Sequence, residues 1–99
     1  MEINHFYTCG IDKAYTKVNE FLEELAQDYS QIIANPTKKW DDNREEMQFG
    51  FDVSGMNITG NVSLYNEGLI LRGDLPFPAS MFKGRIESII KENLEKIFK

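Results

Sequence analysis

The sequence predicts an α+β protein in which an antiparallel sheet is covered by a long C-terminal helix. Two observations lead to this fold class. Apolar residues recur with a helical period near the start and at the end of the chain, and with a period of two between these segments. We therefore expect the element order β-α-β-β-β-β-α in a single domain that spans residues 1–99.

The composition is typical of a globular protein with one core. Apolar residues make up 41% of the chain and aromatic residues 12%, which is more than disordered chains contain. The net charge of -5 disfavours phosphate backbones, so we expect no nucleic-acid partner. No apolar run approaches the roughly 20 residues that cross a bilayer, and we expect no transmembrane segment. Cys9 has no internal partner for a disulfide and no export signal is recognised, which predicts a cytoplasmic location.

The first strand and helix are predicted from residues 1–30. Residues 1–8 are rich in β-branched and aromatic side chains and stop at Cys9-Gly10, which indicates a short strand. Apolar residues then form one helical stripe at positions 11, 14, 15, 18, 21, 22, 25 and 29. Asn35-Pro36 must stop this helix, and we place its end at about residue 30.

The next segment changes to the period of two that is typical of strands. Strands are predicted in TKKW (37–40), in residues 47–53, in residues 56–64 and from Leu69 to Leu75, with short polar or glycine-containing turns between them. Gly60 falls on the apolar face between Ile58 and Val62. A glycine there lets the sheet bend or lets another group approach closely.

The last helix follows two prolines. Pro76 cannot donate to a sheet, so the strand should end at Leu75, and Pro78 suits a first helical turn. One face of the predicted helix carries Phe82, Ile86, Ile89, Ile90, Asn93 and Ile97. We therefore expect Phe82 to lie in the core.

Four residues are candidates for ligand or partner contacts. Met81 lies off the apolar helix face and Phe77 precedes the helix, so the two either pack at the corner between strand and helix or contact a ligand or partner. Trp40 follows two lysines and is either a stacking surface for a cation or base, or a lid on the core. Gly84 belongs to a row of small residues with Ser80 and Ser88, which is either a solvated face or the contact site of a twin subunit or another partner.

No motif in the chain predicts catalysis or a bound cofactor. His5 and Cys9 are isolated, whereas nucleophilic catalysis needs a nucleophile, a base and an orienting group in contact. The acidic run DDNREE at 41–46 lacks the glycine and terminal glutamate of a calcium loop, so we interpret it as a solvated turn. We expect no catalytic, cofactor or metal site.

Several segments of the chain resemble one family of small bacterial proteins. They are CGIDKAYTKVNEFL, Trp40 before the polar turn, GLILRGDLP and FKGRIESIIKENL, and together they cover nearly the whole chain. They resemble the polyhydroxyalkanoic acid system proteins, which are named after the granule-storage gene regions that encode some members. Members often carry His-x-Leu-Gly at the first turn, where this chain reads Tyr7-Thr8-Cys9-Gly10. The resemblance implies no reaction, but it implies an association with polyester storage granules or their proteins.

Two functions follow as hypotheses. The first is a noncatalytic accessory protein that acts through a homodimer, a protein partner or a hydrophobic granule surface. The second is suggested by the order of elements, which looks like a miniature of the helix-grip proteins that hold apolar ligands between a curved sheet and their last helix. This alternative is a small carrier, and it requires a closed cavity of about 300 Å³ or more beneath the last helix.

Overall fold

The chain forms one antiparallel sheet with its helices packed on one face. The computed structural model describes residues 1–99. Its elements are β1 (Glu2–Phe6), α1 (Ile11–Asn19), α2 (Phe21–Asp28), β2 (Ile33–Trp40), β3 (Glu46–Val53), β4 (Met56–Tyr65), β5 (Gly68–Asp74), a 3-10 turn (Ala79–Phe82) and α3 (Lys83–Ile97). The five strands lie in the order β1-β5-β4-β3-β2, and every neighbouring pair is antiparallel. The predicted α+β class, with the last helix against the sheet, is confirmed.

The first helical segment begins at Ile11 as predicted but is divided at Glu20 and ends at Asp28 rather than near residue 30. The break coincides with Asn19, whose backbone oxygen accepts a hydrogen bond from Lys38 Nζ and whose Oδ1 accepts one from Trp40 Nε1. These contacts with β2 compete with the regular bonding of a helix, and asparagine is a weak helix former. The stripe still faces the core on both sides of the break, with Ala14, Val18 and Leu25 buried.

β2 begins four residues earlier than the predicted strand and passes through Pro36. This is physically allowed because β2 is an edge strand, where a missing N–H need not break a ladder bond. The pairing with β3 shifts between Ala34 and Thr37, so a bulge accommodates the proline.

The inner face of the sheet carries the core. The pairing of strands places Ile3, Leu71, Val62 and Met47 side by side across four strands, and all four are buried. Gly60 pairs with Phe49, and a Cβ atom on Gly60 would lie 2.6 Å from Phe49 Cζ. Gly60 therefore allows the close approach of the Phe49 ring, which is one of its two predicted uses.

The last helix starts later than its apolar pattern suggests. Residues 79–82 form a 3-10 turn, and the α-helix begins at Lys83. The prediction that Phe82 lies in the core is wrong, because its side chain is 53% exposed. A 3-10 turn advances by about 120° per residue instead of 100°, so the stripe of Ile86 and Ile90 does not extend back to Phe82. None of the helices has the length and apolar character needed to cross a membrane.

Candidate functional site

An apolar pocket opens between the β3–β4 hairpin, the first half of α3 and the residues that precede β2. Its volume is about 230 Å³, and nine of its 11 lining residues are hydrophobic. The hydrophobic ones are Ile32, Ile33, Phe51, Val53, Met56, Phe82, Ile86, Ile89 and Ile90. The two others, Ser54 and Arg85, are exposed, which places them at the mouth of the pocket.

The pocket lies between side chains of a strand and side chains of a helix, and the sequence period of each element determines which of them face it. The period of two along β3 turns Phe51 and Val53 to the inner face of the sheet, while the helical spacing of Ile86 and Ile90 turns them toward that face from α3. Its third side is the turn after α2, where the amide of Ile33 donates a 2.8 Å hydrogen bond to the carbonyl of Tyr29. The chain therefore builds one apolar concavity from three separate segments.

Beside the pocket, the corner between β5 and α3 exposes three large apolar side chains, which we name the apolar corner. Phe77 is 80% exposed, Met81 71% and Phe82 53%. The turn is closed by hydrogen bonds from the amide of Ser80 to Pro76 and from that of Met81 to Pro78, and Ala79 is fully buried beneath it. Ala79 thus anchors the corner, while the larger apolar side chains remain on the surface.

Arg85, at the mouth of the apolar pocket, is a cation without an ion-pair partner. The four ion pairs of the protein involve other residues. Nearby, Tyr29 Oη donates a 3.2 Å hydrogen bond to Glu92 Oε2. Partial burial and then this bond raise the pKa of Tyr29 above its usual value, and the charge of Arg85 acts in the opposite direction. Arg85 therefore supplies one positive charge at the mouth of an apolar pocket, in a protein with a net charge of -5.

Trp40 lies away from this pocket, against the first helix. Its ring centroid is 4.7 Å from that of Tyr15, and its Nε1 donates a 3.0 Å hydrogen bond to Asn19 Oδ1. The guanidinium of Arg44 lies 5.3 Å from the centre of the Tyr15 ring on this same side of the molecule. In this position Trp40 joins the edge strand to α1, which agrees with a lid on the core.

Gly84 and Ser88 are on the exposed side of α3, and Ser80 is exposed in the 3-10 turn before it. A Cβ atom added to Gly84 would meet nothing within 4 Å. Of the four predicted contact residues, Phe77, Met81 and Gly84 therefore belong to the beginning of the last helical segment, whereas Trp40 belongs to another region.

His5 and Cys9 have the surroundings of packed residues. The His5 ring lies 5.0 Å from the Phe98 ring, and burial lowers the pKa of His5 below its usual value while the charge of Glu95 partly opposes this. Cys9 Sγ contacts the carbonyl of Gly10 at 3.6 Å. In the acidic turn, Asp41 Oδ1 accepts hydrogen bonds from the amides of Glu45 and Glu46, as expected of a solvated turn. No three His, Cys, Asp or Glu residues are grouped so that they could hold a metal ion.

A larger depression of about 730 Å³ lies on the outer face of the sheet. Only one of its 13 lining residues is hydrophobic, and the lining includes Gly50 with Thr37 and Thr59 beside it. Ligand sites are mostly apolar and concave. The smaller pocket under α3 is therefore the better candidate.

A comparison with family models matches residues 1–98 to the family described as "Putative polyhydroxyalkanoic acid system protein". The chain belongs to this family. No curated protein and no solved structure matches it.

In this polyhydroxyalkanoic acid system protein, the residues that suggested the family form parts of the framework. Gly10 has a φ of +85° immediately before α1, a conformation that favours glycine, and Ala14 is completely buried one turn later. Ile86 is a core residue and also lines the pocket. Gly10 and Ala14 therefore shape the first helix, and Ile86 shapes the core and the pocket.

Sequence reasoning missed Arg85 and the contribution of Ile32, Val53 and Met56 to the pocket of this family member. Ile32 had a usable signal, because it continues the apolar stripe of the first helix beyond the point where that helix ends. Val53 and Met56 flank the turn of one hairpin, which a pattern of alternation does not distinguish from the rest of the strands. Arg85 had no signal in the sequence.

Proposed function

We propose that the protein is a noncatalytic, cytoplasmic accessory protein of polyester storage that docks on the hydrophobic granule surface through the apolar corner. The observation that carries the proposal is the exposure of Phe77, Met81 and Phe82 on one short turn. Large apolar side chains that cluster on a surface are typical of interaction sites. The family description, which refers to the polyhydroxyalkanoic acid system, supports a polyester granule as that surface.

The size of the corner fits weak and reversible docking. Full burial of a large apolar side chain contributes about 1.5–3 kcal/mol, so three of them contribute roughly 4–9 kcal/mol at most. Loss of translational and rotational freedom opposes binding by an amount of similar size. The protein would therefore exchange between granule and solution.

Cosedimentation with purified polyester granules tests this function. The variant Phe77→Ser, Met81→Ser, Phe82→Ser should remain in the supernatant while the wild-type protein pellets with the granules. The matched control is Phe6→Ser, Tyr65→Ser, which removes the two large exposed aromatic residues outside the apolar corner and should pellet like the wild type. Equal pelleting of the corner variant and the wild type would refute docking through this corner. Circular dichroism checks that each variant is folded.

The pocket favours a second candidate function, the carriage of a small apolar ligand. Its volume of about 230 Å³ is smaller than the closed cavity of about 300 Å³ that we expected of a carrier, and the pocket is open at its mouth, so only a small ligand fits. At roughly 30 Å³ for a water-sized group, it accommodates about eight non-hydrogen atoms. Because Arg85 offers a free guanidinium at the mouth, the ligand that fits best is a short single-chain carboxylic acid.

Titration calorimetry with octanoate and octanol tests the carrier function. The wild-type protein should bind octanoate more tightly than octanol, and Arg85→Gln should remove the difference. Arg72→Gln is the control, because Arg72 is a surface arginine on the sheet and does not line this pocket. If neither octanoate nor octanol binds, the carrier function is excluded. The proposal of granule docking does not depend on this result.

The absence of catalysis is part of the proposal and has its own test. His5 and Cys9 contact Phe98 and the carbonyl of Gly10, and neither is hydrogen-bonded to a base or an orienting group. If an activity is found, the variant His5→Ala, Cys9→Ala should retain it. A decrease in kcat greater than about a hundredfold, with the fold intact, would overturn the noncatalytic function.

A further inference from the structure

The two edges of the sheet differ in how they are protected. Exposed edges template pairing with other chains, and proteins usually block them with proline, lysine, bulges or covering segments. The β2 edge has Pro36, a register shift and Lys38, whose Nζ is bound to Asn19 and to Glu23. The β1 edge has no proline, no lysine and no bulge. One edge is therefore blocked and the other is open.

The hydrogen bonds between β1 and β5 show which backbone N–H and C=O groups of β1 point away from the sheet. Met1 and Gly73 exchange two backbone hydrogen bonds, and the amide of Tyr7 donates to the carbonyl of Glu67. Because directions alternate along an antiparallel strand, Met1, Ile3, His5 and Tyr7 turn their backbone groups toward β5. The amides and carbonyls of Glu2, Asn4 and Phe6 point away from the sheet and form the open edge.

We propose that a second copy of this chain pairs antiparallel along this edge, so that two five-stranded sheets join into one continuous sheet. A two-fold axis at Asn4 places Asn4 opposite its own copy and Glu2 opposite Phe6 of the second copy. In this register the three free amides and three free carbonyls of each strand all find partners. An isologous contact of this kind is the commonest form of homodimer.

The side chains favour the same register. Phe6 is 83% exposed on the outer face of β1, where it shares a row with Gly68 and with the exposed Tyr65. When the two-fold axis lies at Asn4, the Phe6 ring packs against Glu2 of the second copy. Arg72 of the second copy lies 3.4 Å from that Glu2, so its guanidinium is also next to the Phe6 ring. A guanidinium next to an aromatic face is attractive. Moving the two-fold axis from Asn4 to Glu2, a register shift of four residues, would instead place Glu2 opposite Glu2, bring like charges together and leave Phe6 unpaired.

The net charge of the chain sets how the dimer responds to salt. Each copy carries -5, so the two copies repel one another at long range. Salt screens this repulsion over about 8–10 Å at moderate ionic strength. Dimerisation should therefore strengthen as salt is added, which is the opposite of what a contact held mainly by ion pairs would do.

Sedimentation velocity over a series of protein concentrations tests the proposal. The wild-type protein should dimerise, and Asn4→Pro should be monomeric, because proline removes an outward N–H without removing a hydrogen bond to β5. Asn4→Ala is the matched control: it keeps the amide and should dimerise. A wild-type protein that remains monomeric up to about 1 mM at high salt refutes the proposal, as does a proline variant that dimerises like the wild type.

A second pair of variants decides the matter if Asn4→Pro does not fold. Phe6→Lys places a charge on the open edge and should give a monomer with unchanged thermal unfolding. Tyr65→Lys makes the same kind of change two strands away from the edge and should leave the dimer intact. Equal association of Phe6→Lys and the wild type would contradict pairing along β1.

Discussion

Gly84 occupies the second position of α3 and has open space where a side chain would begin. Glycine is unfavourable in helices because it gains more freedom than alanine when the chain unfolds. Since a Cβ atom there meets nothing within 4 Å, Gly84→Ala should raise the free energy of unfolding by up to about 1 kcal/mol. Urea unfolding measures the change.

The same variant decides between the two interpretations of the small residues on α3. If this face is solvated, Gly84→Ala raises the melting temperature and sedimentation shows an unchanged subunit number. If another helix packs there, the added methyl group disturbs the contact and lowers the subunit number. The first outcome would exclude association through α3, and it is compatible with the proposed pairing along β1.

His5 should make stability depend on pH. Burial lowers its pKa below the ordinary value of 6.5, so the folded protein binds the proton less tightly than the unfolded chain does. The resulting stability is present above pH 6.5 and is lost as the pH falls through the lower pKa of the folded state. We expect the free energy of unfolding to decrease between about pH 7.5 and pH 5.

The control for this effect is His5→Gln, which has no charge to gain in that range. The variant should show a smaller decrease than the wild type, and NMR titration of the single histidine should give its folded-state pKa directly. Parallel decreases in the two proteins would assign the pH dependence to other groups.

At the scale of elements, α3 contains two isoleucines that should respond differently to truncation. Ile90 is 1% exposed and Ile86 is 6% exposed, and both side chains line the pocket. Replacement of a buried isoleucine by alanine costs about 2–5 kcal/mol, partly through the cavity that remains. We expect both variants in this range, with Ile90→Ala the more destabilising because Ile90 is the more completely buried of the two.

Urea unfolding of the two variants checks this ranking. A loss below about 0.5 kcal/mol for Ile86→Ala would mean that this face of α3 is not buried against the sheet, contrary to the structure. A larger loss for Ile86→Ala than for Ile90→Ala would contradict the order of burial of the two side chains.

The elements themselves were largely predictable because their local patterns agree with their tertiary environment. The alternation in residues 47–53 and 56–64 identifies β3 and β4 correctly, since each has one buried and one exposed face. The break at Glu20 and the passage of β2 through Pro36 were not predictable. Both depend on contacts between distant segments, namely Asn19 with β2 and the edge position of β2 in the sheet.

At the scale of the whole molecule, local sequence patterns predicted only part of the candidate site. The exposure of Phe77 and Met81 agrees with their position off the apolar face of the last helix. Phe82 was misplaced because a 3-10 turn changes the helical phase. The pocket was foreseen only as a space under the last helix, because its walls come from three segments whose meeting is fixed by the sheet order.

Exposure of the apolar corner has a consequence for the stability of the whole protein. Side chains that remain in water contribute little to folding, so Phe77→Ser, Met81→Ser should change the free energy of unfolding by no more than about 1 kcal/mol in total. Urea unfolding should also give an unchanged slope against denaturant, because the buried area is unchanged. A loss above about 2 kcal/mol would mean that these side chains pack into the core in solution and are then not free to dock on a granule. If stability is unchanged and granule binding is lost, the exposed side chains of the apolar corner serve binding and not folding. Ala79 would then be the residue of the turn that holds it against the core.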